Sequence, residues 1–190
     1  MSSSMTRAES ADLLRRARRI ELIVLDVDGV LTDRSLYYGP RGEVMKRFDV
    51  RDGHGIVLGR ISGLRTAILT ARTSEIVARR AKELRITLLR QGEKDKQRGM
   101  ERLLREAGVS PERAAYMGDD VNDLPPLLAV GLAACPADAT DEVERVCQFV
   151  SRRNGGDGAV RELYEFIIMA QGKWESALEA MKGPFLRAAK

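Results

Sequence analysis

Cysteine and histidine are almost missing from this 190-residue chain: Cys135 and Cys147 are the two thiols and His54 the one imidazole. Two thiols at that spacing make neither a disulfide framework nor a zinc site, so they read as small apolar residues of a reducing compartment. Aromatic residues amount to 5%, too few for the stacking surfaces of a single-strand nucleic-acid binder. No apolar run approaches the roughly 18 residues that mark a membrane span. The opening stretch, Met1 to Glu9, lacks the apolar core of a secretory signal. The expectation is a cytoplasmic protein without nucleic-acid or membrane partners.

The net charge is +4, but its distribution is uneven. Residues 1–19 hold five arginines against Glu9 and Asp12. Residues 171–190 hold Lys173, Lys182, Arg187 and Lys190 against Glu175 and Glu179, which leaves the body between close to neutral. Arg15 to Arg19 suits the solvated face of a leading helix better than a nucleic-acid footprint. The expected organisation is a basic helical extension over 1–19, one domain over 20–170 and a basic tail over 171–190 whose order the sequence leaves open. A composition that is 44% apolar is enough to fill a single core.

Within the body, Leu22–Asp26, Thr66–Leu69, Ile86–Leu89, Ala114–Met117 and Gly131–Ala134 read as apolar strands separated by helical patterns. That alternation predicts an α/β fold with a doubly wound parallel sheet. After Lys96, residues Met100, Leu103, Leu104 and Ala107 recur at helical spacing until Gly108 stops them; Val160, Leu163, Tyr164 and Ile167 repeat the spacing. Between Asp28 and Thr70 there is room for one helix and a small β-hairpin, Leu36–Tyr38 with Val44–Phe48 around Gly39–Gly42. Neither that interval nor the one from Thr70 to Lys96 holds a cap domain.

Strand ends carry the chemistry. Asp26 and Asp28, one residue apart where the first strand gives out, point the same way along an extended chain. Two carboxylates in one volume repel unless a cation lies between them, and a hard, oxygen-preferring ion such as Mg2+ fits. A second cluster, Asp119, Asp120 and Asp123, follows another short apolar strand. Thr70 puts a hydroxyl at a third strand end. Lys94 and Lys96 stand at a helix start, against the helix dipole, so a purpose other than helix stability placed one of them; Lys94 reads as solvated. In a parallel sheet Asp26, Thr70 and Asp119 converge on the carboxyl edge, where open α/β sheets bind ligands.

The order Asp26-x-Asp28, Thr70, Lys96, Gly118-Asp119-Asp120-x-x-Asp123 resembles the four-motif signature of the haloacid dehalogenase superfamily of phosphotransferases. Asp26–Asp33, Phe48–Gly55 and Asn154–Glu162 are further similar to a capless family within it, the 3-deoxy-D-manno-octulosonate 8-phosphate phosphatases. The resemblance implies a Rossmann-like core with a hairpin insertion and no cap. It also implies a homotetrameric, Mg2+-dependent phosphomonoesterase that releases a sugar acid for lipopolysaccharide precursors. By the resemblance, Asp26 is the nucleophile that forms an aspartyl-phosphate, and Asp28 is general acid and then base. Mg2+ is held by Asp26, the backbone carbonyl of Asp28 and Asp119. Thr70 and Lys96 bind the transferring group, and Asp120 and Asp123 orient a metal-bound water and the Lys96 ammonium. Asp28, Asp49, Val50, Arg51, Asp52, Gly53, Arg72, Arg80, Lys96 and Asn122 contact the substrate.

The chain departs from the family at Val57, where an arginine is common, with Arg60 a candidate stand-in. His54 takes an aromatic slot, and since two aspartates fill the proton-transfer roles it reads as a packing or substrate-rim residue. Lacking a cap in cis, the site is expected to be covered in trans. The hairpin would build the assembly and Asn154–Gly158 would approach a neighbour's Asp26 pocket. Two other readings stay open: a phosphatase of another keto-acid sugar phosphate or of sugar phosphates broadly, and a non-catalytic oligomerisation module.

Overall fold

The computed structural model describes residues 7–188, and side chains within 10–182. In chain order the strands are β1 (Leu22–Leu25), β2 (Tyr37–Gly39), β3 (Gly42–Met45), β4 (Arg65–Leu69), β5 (Leu88–Arg90), β6 (Ala114–Met117), β7 (Leu132–Cys135) and β8 (Phe149–Val150). The helices are α1 (Arg7–Ala17), α2 (Val50–Ile61), α3 (Glu75–Glu83), α4 (Lys96–Ala107), α5 (Leu124–Ala129), α6 (Asp141–Glu144), α7 (Ala159–Ala170) and α8 (Trp174–Ala188). Six strands form one parallel sheet in the order β5-β4-β1-β6-β7-β8, and β2 pairs with β3 in a separate antiparallel hairpin. The five sheet strands read from the sequence are present within a residue or two. The sixth, β8, has two residues, too few to leave a pattern.

Alternation along each strand divides the core into two layers. Ile23, Leu25, Ala115 and Met117 face the layer made by α1, α2, α3, α7 and α8, where Ile56, Val77, Leu163 and Ile167 are buried. Leu22, Val24, Ala114 and Tyr116 face α4, α5 and α6, against Met100, Leu103, Leu127 and Val143. Gly108, left-handed at φ +62°, ends α4 where the sequence pattern stops. The basic tail is no loose end within the described residues. It forms α8, with Ala177 buried and Trp174 and Met181 packed against the first layer. Residues 1–6 and 189–190 of the two terminal segments lie outside the described residues.

The strand order positions the site. From β1 the chain runs outward to β4 and β5, then crosses to β6 on the other side of β1. The crevice where this reversal occurs opens at the carboxyl ends of β1 and β6, the switch point of a doubly wound sheet. Asp26 extends the ladder there, its N–H donating to the Met117 carbonyl at 3.0 Å. Only the hairpin and α2 separate β1 from β4, and only α3 separates β4 from β5, so neither interval carries a cap.

Two expectations change at α7. Gly155 and Gly156 pack on their own chain's loop after β1: the Gly156 N–H donates to the Val30 carbonyl at 2.9 Å. A Cβ on Gly155 would stand 1.8 Å from the Gly29 carbonyl oxygen. These glycines permit a close backbone approach in cis, and their presence does not require a neighbour's pocket. Asp52, expected at the substrate, is buried and accepts the N–H groups of Arg161 at 2.7 Å and Gly158 at 3.3 Å, so it caps α7 from α2.

Burial pushes the Asp52 carboxyl up to about 6 from 3.8, against the two N–H bonds that favour the anion. Because the folded value exceeds the unfolded one, the contribution of Asp52 to stability is full below about pH 4 and is lost as pH rises through about 6. The wild type should therefore lose stability relative to Asp52→Asn between about pH 4 and 7, read as urea midpoints. A difference that does not vary with pH would refute the burial argument.

Candidate active site

The carboxyl edge of the sheet bears an open cleft of about 270 Å³ lined by Asp26, Asp28, Arg34, Thr70, Ala71, Arg72, Lys96, Asp119, Asp120 and Asn122. A larger groove of about 610 Å³, among Arg18, Glu21, Arg113 and Lys173, lies where β1 and β6 begin. Chemistry, not volume, distinguishes the two, since the smaller cleft alone gathers buried carboxylates and a buried ammonium among the described residues.

Lys96 begins α4, whose N-terminus is capped by the Asp95 side chain at 3.1 Å from Arg98 N. Its side chain is 1% exposed, with Nζ 2.7 Å from Asp26 Oδ2 and 2.5 Å from Asp123 Oδ1. Burial opposes the ammonium, but Asp26 and Asp123 outweigh it and raise the Lys96 pKa. Lys94, two residues earlier, is exposed as expected. Asp123 is fully engaged: Oδ1 also accepts from Tyr116 Oη at 2.5 Å, and Oδ2 from the N–H groups of Asp119 at 3.1 Å and Asp120 at 3.4 Å. Asp120 is exposed and caps the short 3-10 turn Val121–Asp123 by accepting from Val121 N at 2.7 Å. Thr70, buried at the end of β4, accepts weakly from Arg72 N at 3.4 Å.

Asp26, Asp119 and Asp123 bring carboxylate oxygens within 4.8 Å of one another. Burial, then Asp123, pushes the Asp26 carboxyl up to about 7 against the pull of Lys96. Burial, then Asp26, pushes Asp119 up to about 7 against the pull of Arg34. Asp26 Oδ1 is buried without a hydrogen-bond partner. An orphaned oxygen beside a second carboxylate short of positive charge fits a hard divalent cation with oxygen ligands. Asp123, saturated by donors, serves such a site by holding Lys96 and the Asp119 backbone. The space beside Asp119 depends on Gly29, at φ +91°, where a Cβ would fall 1.9 Å from Asp119 Oδ2.

The Asp28 carboxylate turns to other partners. Its Oδ1 accepts from Lys46, which also pairs with Glu43 at 3.0 Å, and Glu43 accepts from Ser74 Oγ. Arg72 Nε lies 3.6 Å from Asp28 Oδ2, and its guanidinium donates to Tyr38 Oη. Lys46, Glu43, Ser74, Tyr116 and Arg34 were not anticipated. The nearest signal was a lysine next to the apolar pair Val44-Met45 on a hairpin, but no pattern tells which hairpin face turns toward Asp28.

Several expected substrate residues do not line the cleft within one chain. Asp49 caps α2, accepting from Arg51 N at 2.6 Å; Gly53 packs under Arg80, whose guanidinium lies 5.7 Å from the Phe48 ring centroid. Val50, Arg51 and His54 border a different groove of about 520 Å³, with Arg161 and Glu165. All of these belong to the start of α2 and the helical layer beside it, and Asp52 is committed to α7. Arg60 donates to the Leu84 carbonyl at 2.9 Å and is no stand-in for an arginine at Val57.

The fold and the site define a hydrolase class. A family model for haloacid dehalogenase-like hydrolases matches residues 63–163, and the chain belongs to that family. Among its relatives, 3-deoxy-D-manno-octulosonate 8-phosphate phosphatase KdsC of Escherichia coli (strain B / BL21-DE3) is 42% identical over 168 residues, 88% of this chain and 89% of the relative. The crystal structure of the phosphatase of that name from Yersinia pestis superposes with a TM-score of 0.84 at 42% identity, over 86% of this chain and 89% of its own. The Moraxella catarrhalis phosphatase, solved with a magnesium ion, a phosphate ion and a KDO molecule, gives 0.86 at 34% identity, over 90% and 98%.

The raised carboxyls make cation binding a proton-releasing event, because a ligand carboxylate must be ionised. With two groups near pKa 7 in the metal-free protein, Mg2+ binding at pH 7 should release about one proton, falling toward none by about pH 9. Calorimetry in buffers of different ionisation enthalpy measures that number. Binding without proton release at pH 7 would refute the upward shift of these two carboxyls.

Proposed function

We propose that the chain is a Mg2+-dependent phosphomonoesterase that hydrolyses 3-deoxy-D-manno-octulosonate 8-phosphate to the free sugar acid and inorganic phosphate, a step toward lipopolysaccharide precursors. The observation that carries this reading is the convergence of Asp26, Asp28, Thr70, Lys96 and Asp119 on one cleft at the sheet's switch point, in a chain 42% identical to KdsC.

In the first half-reaction a carboxylate oxygen of Asp26 bonds to phosphorus as the ester oxygen departs, and Asp28 gives that oxygen its proton. In the second, the Asp28 carboxylate takes a proton from water; the hydroxide oxygen bonds to phosphorus, and Asp26 leaves as a free carboxylate. Thr70 Oγ1 donates a hydrogen bond, and Lys96 a positive charge, to the equatorial oxygens. Lys96 is fixed for this by Asp123, which Tyr116 and two backbone N–H groups hold in turn. Lys46 is a positioning residue: it fixes Asp28 Oδ1, and Oδ2, which faces Arg72 Nε at 3.6 Å without a hydrogen bond, is the oxygen that transfers the proton. Asp26, Asp119 and the Asp28 carbonyl would hold Mg2+, whose charge would let the anionic Asp26 meet an anionic ester.

We assign this chemistry to residues 20–170 in the cytoplasm, a setting that the free thiols Cys135 and Cys147 suit. The exposed hairpin residues Leu36, Tyr38, Val44 and Met45 support self-association to a homotetramer that covers the open cleft.

Phosphate release from the octulosonate ester should exceed that from generic sugar phosphates by orders of magnitude, cease on chelation and return with Mg2+. Asp26→Asn should lower kcat at least about 1,000-fold in a folded protein, and Asp28→Asn and Lys46→Met should lower kcat more than they raise KM. Comparable turnover of all sugar phosphates would defeat the substrate assignment, and an active Asp26→Asn protein the mechanism. Sedimentation of the full chain should give a tetramer; an active monomer would reject the assembly.

A further inference from the structure

Arg34 stands on the loop after β1 in a left-handed conformation, φ +67°, which a residue with a Cβ adopts only against steric resistance. Strain of this kind persists where the surroundings over-determine it, and it concentrates at ligand sites. Here the far end of the side chain is pinned: Nη1 donates to the Asp138 carbonyl at 2.6 Å and Nη2 to the Asp138 carboxylate. Asp138 is fixed in turn by the Gly155 N–H at 3.0 Å. The Arg34 side chain remains 46% exposed and forms part of the wall of the cleft that holds Asp26 and Asp119.

The reaction above makes no use of this cation. Lys96 and Thr70 serve the phosphoryl group, and Arg72 is drawn toward Asp28, Glu43 and Tyr38. A sugar-acid phosphate carries a second anion, its carboxylate. Val57 offers that carboxylate no charge, and Arg60 is turned to Leu84. Two of the five N–H donors of Arg34 go to Asp138, and a guanidinium with donors to spare is suited to gripping a carboxylate.

We propose that Arg34 is a specificity-determining residue that pairs with the carboxylate of the sugar-acid phosphate while its phosphoryl end lies at Asp26. The assignment rests on the phosphatase reading and deepens it. Asp138 and the Gly155 backbone hold the guanidinium ready, so the strained loop is the means by which an arginine reaches the cleft wall.

The test is a comparison of Arg34→Gly and Arg34→Lys with wild type on two esters, 3-deoxy-D-manno-octulosonate 8-phosphate and its C1 amide, which keeps the sugar and the phosphate but lacks the anion. Glycine suits φ +67°, so Arg34→Gly should melt no lower than wild type. It should raise KM for the acid about tenfold to a hundredfold, the range of a lost charge-assisted pair, and change KM for the amide less than about twofold. Arg34→Lys should recover part of the loss. Equal effects on both esters, or none on the acid, would overturn the proposal. Should the octulosonate ester prove not to be a substrate, inhibition of p-nitrophenyl phosphate hydrolysis by 3-phosphoglycerate and by glycerol 3-phosphate decides separately. A preference for the carboxylated inhibitor that Arg34→Gly abolishes sustains the assignment, and no such preference ends it.

Discussion

Three aspartates share one small, mostly buried volume with a single ammonium, and this shortage of positive charge governs how the rest of the molecule is arranged. Isolated buried carboxylates are prohibitively costly, so each must be compensated or left partly neutral. Asp123 is compensated completely, by Lys96, Tyr116 and two backbone N–H groups, and becomes a fixed post for the others. Asp26 and Asp119 are left short, and their carboxyls rise to about 7. The fold keeps a high-energy anionic hollow whose natural relief is a divalent cation arriving with an anionic substrate.

Most of that hollow could be read from the chain because its members sit at the ends of apolar strands. Asp26, Thr70 and Asp119 each follow a continuous buried run, and a parallel sheet can only bring such ends to one edge. Lys96 was legible for another reason, since a cation at a helix start opposes the helix dipole and so was not placed for helix stability, and the family resemblance then selected Lys96 over Lys94. The two-layer architecture followed from strand alternation and from the helical stripes at Met100–Ala107 and Val160–Ile167.

What escaped the sequence depends on irregular backbone. Lys46 meets Asp28 through the path of a hairpin, and Arg34 enters the cleft through a left-handed residue; neither follows from a periodicity. Residues 49–53 and Arg80 were carried over from the family resemblance, and a residue list does not say where the backbone takes each of them. Within this chain Asp49 caps α2, Asp52 caps α7, Gly53 packs under Arg80, and Val50 and Arg51 border a separate groove. The glycines at 155 and 156 were read correctly as permitting close approach, but the approaching backbone is the chain's own.

That last contact orders events in time. The loop bearing Asp28 to Asp33 is braced by Gly155, Gly156 and Asp138, residues that leave the ribosome more than a hundred positions later. Domains acquire their structure as synthesis proceeds from the N-terminus. Yet here the nucleophile's loop, held locally by the Val27 carbonyl and by the Thr32–Phe48 bridge, gains this brace only when the final third of the polypeptide folds back over it. A chain truncated in that third would keep every motif of the active site in its sequence and still lack the brace that gives them shape.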